Sequence, residues 1–442
     1  MKISFQSIET KFTIVALVFF TDALSFSSLF NNSEGELTSA VITYSPLTPI
    51  LSPLQHVIFL IAGFLIVARW RTTLRTLLRN KYLWLFITLI LISSLWSAFP
   101  AFTQRRSLAL LETIIFGIYL ASRYTLKEQL RLTGLAIGIV AIMSLLFTLA
   151  LPGRGIETGI HAGAWRGIFF HKNLFARLMV LGFLIFWFMK PQTRKGKYLV
   201  RAALVLSIGL IILSTSKTAL AIVLVLMLTG HIFQIVFRWR PMVAIPMLAT
   251  AILIVALGTV FLWINVETIL QALGRDLTLS GRTVVWSALW DKIQERPWLG
   301  YGYMGFWHGT EGESAYVGKF IGNNYLPPHA HNGFLELMLA FGAVGTFLFI
   351  LSCLSLLRRA IIAGYHRKNP EGLWSVHYLF FLFVYNFTES TLVQHNSIFW
   401  VLYLALALSE LTPYSAVQRQ EISPEKLTKW QNNHRRAIRW QK

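Results

Sequence analysis

Twelve stretches of mostly apolar residues, each long enough to cross a lipid bilayer as a helix, run along this chain. A spanning segment has no water to satisfy its backbone, so it must close its own hydrogen bonds as a helix. The stretches fall at roughly 12–30, 54–69, 82–99, 107–122, 132–150, 174–190, 199–214, 218–237, 242–263, 333–357, 373–390 and 397–411. This predicts an all-α polytopic membrane protein with about twelve transmembrane helices. The first stretch is too long for a cleavable signal peptide, and no clear small-x-small site follows it.

Composition agrees. Of 442 residues, 55% are hydrophobic and only 13% charged, against roughly a quarter charged in a soluble domain. The apolar and aromatic content also excludes a disordered chain. The net charge of +21 would suggest a nucleic-acid partner, but that needs a basic face on a soluble domain. Here the basic residues lie in short clusters between apolar runs. With the N-terminus inside, 28 of the 40 Lys and Arg fall in cytoplasmic segments such as 69–81 and 190–201. Those clusters set topology and anchor the lipid surface. The other 12 lie on the outer side. The single Cys353 excludes a disulfide framework and reads as a small buried hydrophobe.

The expected organisation is a membrane domain over 1–411 and a basic cytoplasmic tail over 412–442. Two outer loops stand out, at about 151–173 and 264–332, the second between helices 9 and 10. The second loop carries Val285, Trp286, Leu289, Trp290 and Ile293 at helical spacing, with Ser280 as N-cap and Pro297 as stop. This predicts an amphipathic helix on the membrane surface or against other spans, acting as a lid over a lateral cavity. Arg282 in its first turn suits an anion, or is a solvated surface arginine. The run GYGYMG (Gly300, Gly302, Gly305) matches a dinucleotide fingerprint only formally, because no strand–glycine–helix unit surrounds it. A tight turn after Pro297 explains the glycines better.

The loop ends in His329, Ala330, His331 and Asn332 before helix 10. A histidine at the positive end of a helix tends to be neutral and able to accept a proton, the profile of a general base. The alternatives are a structural interfacial histidine, or a metal pair with His329 whose third ligand would be His308, Glu311 or Glu313. Polar groups at the membrane lip are expensive and often functional. Lys217, Glu336, Asn386, Glu389, Arg105 and Arg106 all fall on the same outer side. Such a set suits a phosphate-bearing substrate presented from the membrane.

These residues resemble a known family. His331-Asn332, nine residues, then Gly342-Ala343-Val344-Gly345 is similar to the hallmark of the O-antigen ligase and O-antigen polymerase superfamily. The stretch 281–306 resembles the first half of that family's large outer loop. RGIFFHKN (166–173) resembles a motif of its exopolysaccharide polymerisation branch, and Ser214-Thr215-Ser216-Lys217 its Ser-x-Ser-Arg/Lys element. The resemblance covers essentially the whole chain. It implies an inverting, metal-independent membrane glycosyltransferase of the bacterial inner membrane, facing the periplasm and needing no cofactor. An undecaprenyl-pyrophosphate-linked glycan would be the donor. His331 would be the base on the acceptor hydroxyl, and Arg282 and Lys217 would hold the pyrophosphate. Arg166, Lys172, Asn173, Asn332 and His329 would line the cavity, with Glu389 orienting it. Many members carry arginine where this chain has Lys217, and lysine lacks the guanidinium fork.

Within that chemistry the expected activity is polymerisation of lipid-linked repeat units into exopolysaccharide. The alternative is a ligase that moves finished glycan onto lipid A-core or another acceptor. A transporter of polysaccharide or lipid-linked sugar is the rival of a different class, but no repeated pair of interrupted midplane helices is visible. Expected partners are the glycan donor and acceptor, membrane lipids, and chain-length regulator and export proteins, with no nucleic acid.

Overall fold

The computed structural model describes residues 5–30, 46–237, 282–321, 327–367 and 370–409. The expected span at 242–263, Ser280 and the tail over 412–442 lie outside the described residues. Every described segment is helical or irregular, and a single bridge (Ile156 with Trp165) is the sole β-pairing among them.

The helices are α1 (Phe5–Phe19), α2 (Ser27–Phe30), α3 (Thr48–Ala68), α4 (Trp70–Leu77), α5 (Lys81–Ile92), α6 (Pro100–Arg123), α7 (Leu126–Ala150), α8 (Pro152–Gly155), α9 (Lys172–Phe188), α10 (Arg194–Leu213) and α11 (Lys217–Val236). After the second loop's α12 (Arg282–Glu295) and α13 (Ser314–Ile321) come α14 (Gly333–Arg367), α15 (Pro370–Asn386) and α16 (Ile398–Leu408). Eleven of the twelve expected stretches therefore coincide with helices. Among the described residues five helices are long and apolar enough to cross a membrane alone, and up to seven if each bent pair is one span. The chain is an all-α polytopic membrane protein, but these criteria do not yield twelve spans. The shortfall has physical causes. α16 has only 11 residues and is buried on all sides. The chain after α1 turns by 73°, where Asp22 and Phe26 adopt left-handed backbone, and α4 meets α5 at 91°.

α16 packs on α6, α9 on α10, α7 and α15, and α14 on α5 and α15, around one continuous apolar core. α12 packs one face against protein, as one of its two expected placements required. Its Val285, Ala288, Leu289 and Ile293 are buried in a second, smaller core with Tyr301, Phe306, Val317 and Leu339, while Trp290 of the expected stripe is half exposed.

The decisive irregularity is in α14. Gly342 has φ 59° and interrupts the helix, leaving backbone groups on both sides without intrahelical partners. The loop after Pro297 supplies them. Ala343 N–H donates to Pro297 O (2.7 Å) and Val344 N–H to Trp298 O (3.1 Å). On the other side Tyr301 N–H donates to Leu339 O (2.7 Å) and Gly302 N–H to Ala340 O (2.9 Å). The GYGYMG run is thus a tight turn, with Gly300 at φ 63°, pressed into a helix break. A β-carbon at Gly342 would run into the carbonyl carbon of Trp298. Gly342→Ala should therefore lower the detergent-extracted protein's melting temperature. The positive-φ, extended-ψ conformation (ψ −160°) alone costs on the order of 1–3 kcal/mol for an L-residue, and the clash adds to it. An unchanged melt would mean that the break does not depend on glycine.

Candidate active site

The half-helix 333–341 begins at a built N-terminus. Asn332 Oδ1 accepts from Phe334 N–H (3.0 Å) and Leu335 N–H (3.3 Å), capping the helix. His331 precedes it in left-handed backbone, φ 49°, a conformation costly for a non-glycine residue and common at functional positions. Its N–H donates to His329 Nδ1 (3.2 Å). Glu336, half-buried one turn in, accepts from Ala330 N–H (2.6 Å) and Trp307 Nε1–H (3.0 Å), so it secures the histidine loop. Trp286 of α12 donates to Ala330 O (2.8 Å), tying that helix to the same loop.

Opposite the half-helix lies the turn after α15. Asn386 fixes it, accepting from Thr391 N–H (2.8 Å) and donating to Thr391 Oγ1 (2.7 Å). That presents Glu389, 7% exposed, to three separate pieces of chain. Its Oε2 lies 3.5 Å from His331 Nδ1 and its Oε1 3.5 Å from Arg282 Nη2. Oε1 also accepts from Asn173 Nδ2 (3.4 Å). Arg282 Nη1 donates to Thr388 O (2.7 Å), and Gly333 N–H to Glu389 O (3.1 Å). Asn173 Oδ1 in turn accepts from Ser216 Oγ (3.2 Å), the N-cap of α11.

Burial alone would raise the Glu389 carboxyl. The His331 contact and the Arg282 guanidinium outweigh burial and hold it down at about 2. His329 goes the other way: burial, then His331, push it to about 3. A neutral His329 is what the His331 N–H requires, because it accepts at Nδ1. With Glu389 against Nδ1 of His331, Nε2 is the nitrogen turned away from the carboxylate, the arrangement of a base oriented by an acid.

The expected residues divide. His331, Arg282, Glu389, Asn173, Asn332 and His329 come together. Lys217 is the first residue of α11, exposed, and adjoins the cluster through Ser216 rather than by an ion pair. Arg166 is not brought into it. Its buried guanidinium donates to Arg154 O (2.9 Å), Phe170 O (3.1 Å) and Ser28 O (3.4 Å). Lys172 opens α9, its N–H donating to Glu157 Oε1 (2.5 Å). Arg105 is exposed, while Arg106 meets His395 (3.1 Å) and stacks over Phe102.

His329, His331 and Glu389 can bring three ligand atoms within 4.8 Å of one another. The third member is Glu389, not His308, Glu311 or Glu313. His308 stacks on Phe99, and Glu313 pairs with Lys292 (2.9 Å). The donor set suits a cation poorly. His329 Nδ1 has its lone pair on the His331 N–H, which puts the proton of the neutral ring on Nε2. Arg177 escaped the sequence reading. It follows Asn173 by four residues on α9, and its charge acts on His329. Its signal was present as a lone cation in an apolar run, one turn from a motif residue.

Residues 202–350 match the family described as O-Antigen ligase. The chain is 26% identical over 292 residues to the exopolysaccharide production protein ExoQ of Rhizobium meliloti (strain 1021), an alignment covering 61% of this chain and 62% of that protein. It thus spans less than two thirds of that relative's length. A chain from a solved structure described as "Structural coordination of polymerization and crosslinking by a peptidoglycan synthase complex" aligns with 75% of this chain and 97% of its own, at 18% identity and a TM-score of 0.37.

The depressed Glu389 carboxyl gives a signed prediction. Its ordinary value is 4.5. The stability it contributes is present above that value and lost as pH falls toward 2. The melting-temperature gap between wild type and Glu389→Gln should be widest above pH 5 and close as pH falls. A gap that widens on acidification would contradict this.

With the half-helix and its histidine in view, the chain is similar over residues 202–350 to the O-antigen ligase family and, over a longer stretch, to an exopolysaccharide production protein.

Proposed function

We propose that this protein polymerises undecaprenyl-pyrophosphate-linked oligosaccharide repeat units into exopolysaccharide at the periplasmic face of the bacterial inner membrane. The observation that carries the reading is the placing of His331 and Arg282 on opposite oxygens of one buried carboxylate, Glu389. A base and an anion-binding guanidinium held together suit transfer from a phosphate-linked donor. The acceptor hydroxyl attacks the anomeric carbon and its proton passes to His331 Nε2. The bond to the pyrophosphate oxygen breaks with inversion, and the lipid pyrophosphate leaves against Arg282 and Lys217. The donor bond supplies the driving force, so no nucleotide or metal is required. Exopolysaccharide production in the named relative supports the polymerase reading.

The O-Antigen ligase match favours a second reading, transfer of finished glycan to lipid A-core or another acceptor. Both share the same chemistry and differ in acceptor. Reconstitution with lipid-linked repeat units, with and without lipid A-core, separates them. Long lipid-linked chains are expected; core-linked product alone would establish the ligase.

His331→Ala should abolish product while the protein still inserts, a loss on the order of 10²-fold or more if the residue is the base. Wild-type chain lengths in that variant would refute the role. Arg282→Ala should lose more activity than Arg282→Lys, because a retained charge keeps part of the pyrophosphate interaction. Equal losses would point to the fork, rather than the charge, as what matters.

A further inference from the structure

At the far end of α9 and α10 from the His331 cluster is a cavity of about 670 Å³. Asn173 and Phe186 lie at opposite ends of α9, so cavity and cluster are separated by roughly 20 Å along that helix. Lys190, Lys197 and Arg201 line the cavity together with Trp187, Gln234 and Leu204, and no acidic side chain is among its lining residues. Lys197 and Arg201 stand four apart on α10 and share a face. None of the three cations forms an ion pair among the described residues. The three cations are exposed at the rim of one apolar-walled cavity, and an anion there lowers their mutual repulsion.

We propose that this cavity binds the phosphate of an anionic phospholipid. The cations and the Trp187 and Gln234 donors suit the headgroup. Phe186, Met189, Val200 and Leu204 give the apolar walls that a glycerol backbone and the first acyl carbons need. The flank of α10 beside the cavity exposes Tyr198, Leu199 and Val205, each nearly 70% accessible, which continues the apolar path toward the acyl chains. The volume lies within the range of small-molecule sites and exceeds what a lone phosphate needs. Basic pockets between membrane helices are the recurring form of such sites. The lipid would brace α9 against α10 at the end remote from Asn173, whose side chain is bonded to the α11 cap Ser216.

The test uses the full-length protein in nanodiscs of phosphatidylcholine with phosphatidylglycerol, followed by delipidation and counting of retained lipids by native mass spectrometry. Wild type should retain a phosphatidylglycerol in preference to phosphatidylcholine. Lys190→Gln/Lys197→Gln/Arg201→Gln should lower that occupancy by ~10-fold or more, a loss of about 1.4 kcal/mol. Lys190→Arg/Lys197→Arg should keep it, which guards against loss through misfolding. Arg71→Gln/Arg75→Gln, neutralising two exposed cations of α4, should also keep it. Equal retention of the two lipids, or equal loss in the α4 variant, would overturn the proposal. Displacement by excess soluble glycerol phosphate would also overturn it, because the cavity would then recognise free phosphate and not a lipid. No readout depends on glycosyl transfer, so this proposal and the proposed function fail independently.

Discussion

The rest of the site depends on a backbone constraint at Gly342. In an apolar environment an open N–H or C=O is too costly to leave unmet. A helix broken in mid-course must therefore be answered by another piece of chain. Here the answer is the turn 297–302, which meets two carbonyls and two amides of α14. The same turn is anchored to the end of α5, through Trp96 Nε1–H to Leu299 O (3.1 Å) and Tyr303 N–H to Ser93 Oγ (3.1 Å). The half-helix 333–341 is consequently held by the outer loop as much as by the spans. Its N-terminus, with Asn332 and His331, takes its position from that loop. A continuous helix would take from the loop the four backbone hydrogen bonds that seat it on α14.

Glu389 then does what no residue of the half-helix could do alone. Burying a carboxylate is unfavourable unless cations and donors replace its water. Three elements supply them: Arg282 from α12, Asn173 from α9 and His331 from the half-helix. Because each comes from a different part of the chain, the carboxylate is also the point at which the two outer loops are brought into register. Its charge holds Arg282 and orients His331 at once, so histidine and arginine are positioned by one group.

Much of this was legible in the sequence, and the illegible parts share a cause. Apolar run length placed eleven helices because a span's backbone requirement is local. The stop at Pro297 and the helix start that follows His331 and Asn332 were readable for the same reason, since such signals act over a few residues. The span count was not readable, because α16 is short and wholly enclosed by other helices, where length against the bilayer ceases to be the measure. The pairing of Glu389 with Arg282 and His331 joins residues far apart in sequence, and no spacing announces it. Trp290 carried the right period, yet α12 packs on Leu339 and Tyr301, and that choice of partner decides which part of the stripe is covered.

Arg166 and Arg282 show why a cation's place in a motif does not settle its work. Both stand in the long loops between helices and both belong to segments that carry the resemblance. Arg166 spends its guanidinium on three backbone carbonyls that hold the first loop to the turn after α1. Recruiting it to a phosphate would strip those carbonyls of their donors in a buried place, at a cost of the order of 1–3 kcal/mol for each one left unmet. Arg282 gives one nitrogen to Thr388 O and another to a carboxylate, and remains partly accessible at the mouth of the cluster. Lys217 is exposed at a helix N-terminus, where the dipole adds to its charge. Lys217 and Arg282 are thus motif cations that keep accessible surface beside the cluster, while Arg166 keeps the loop that carries Asn173 in place.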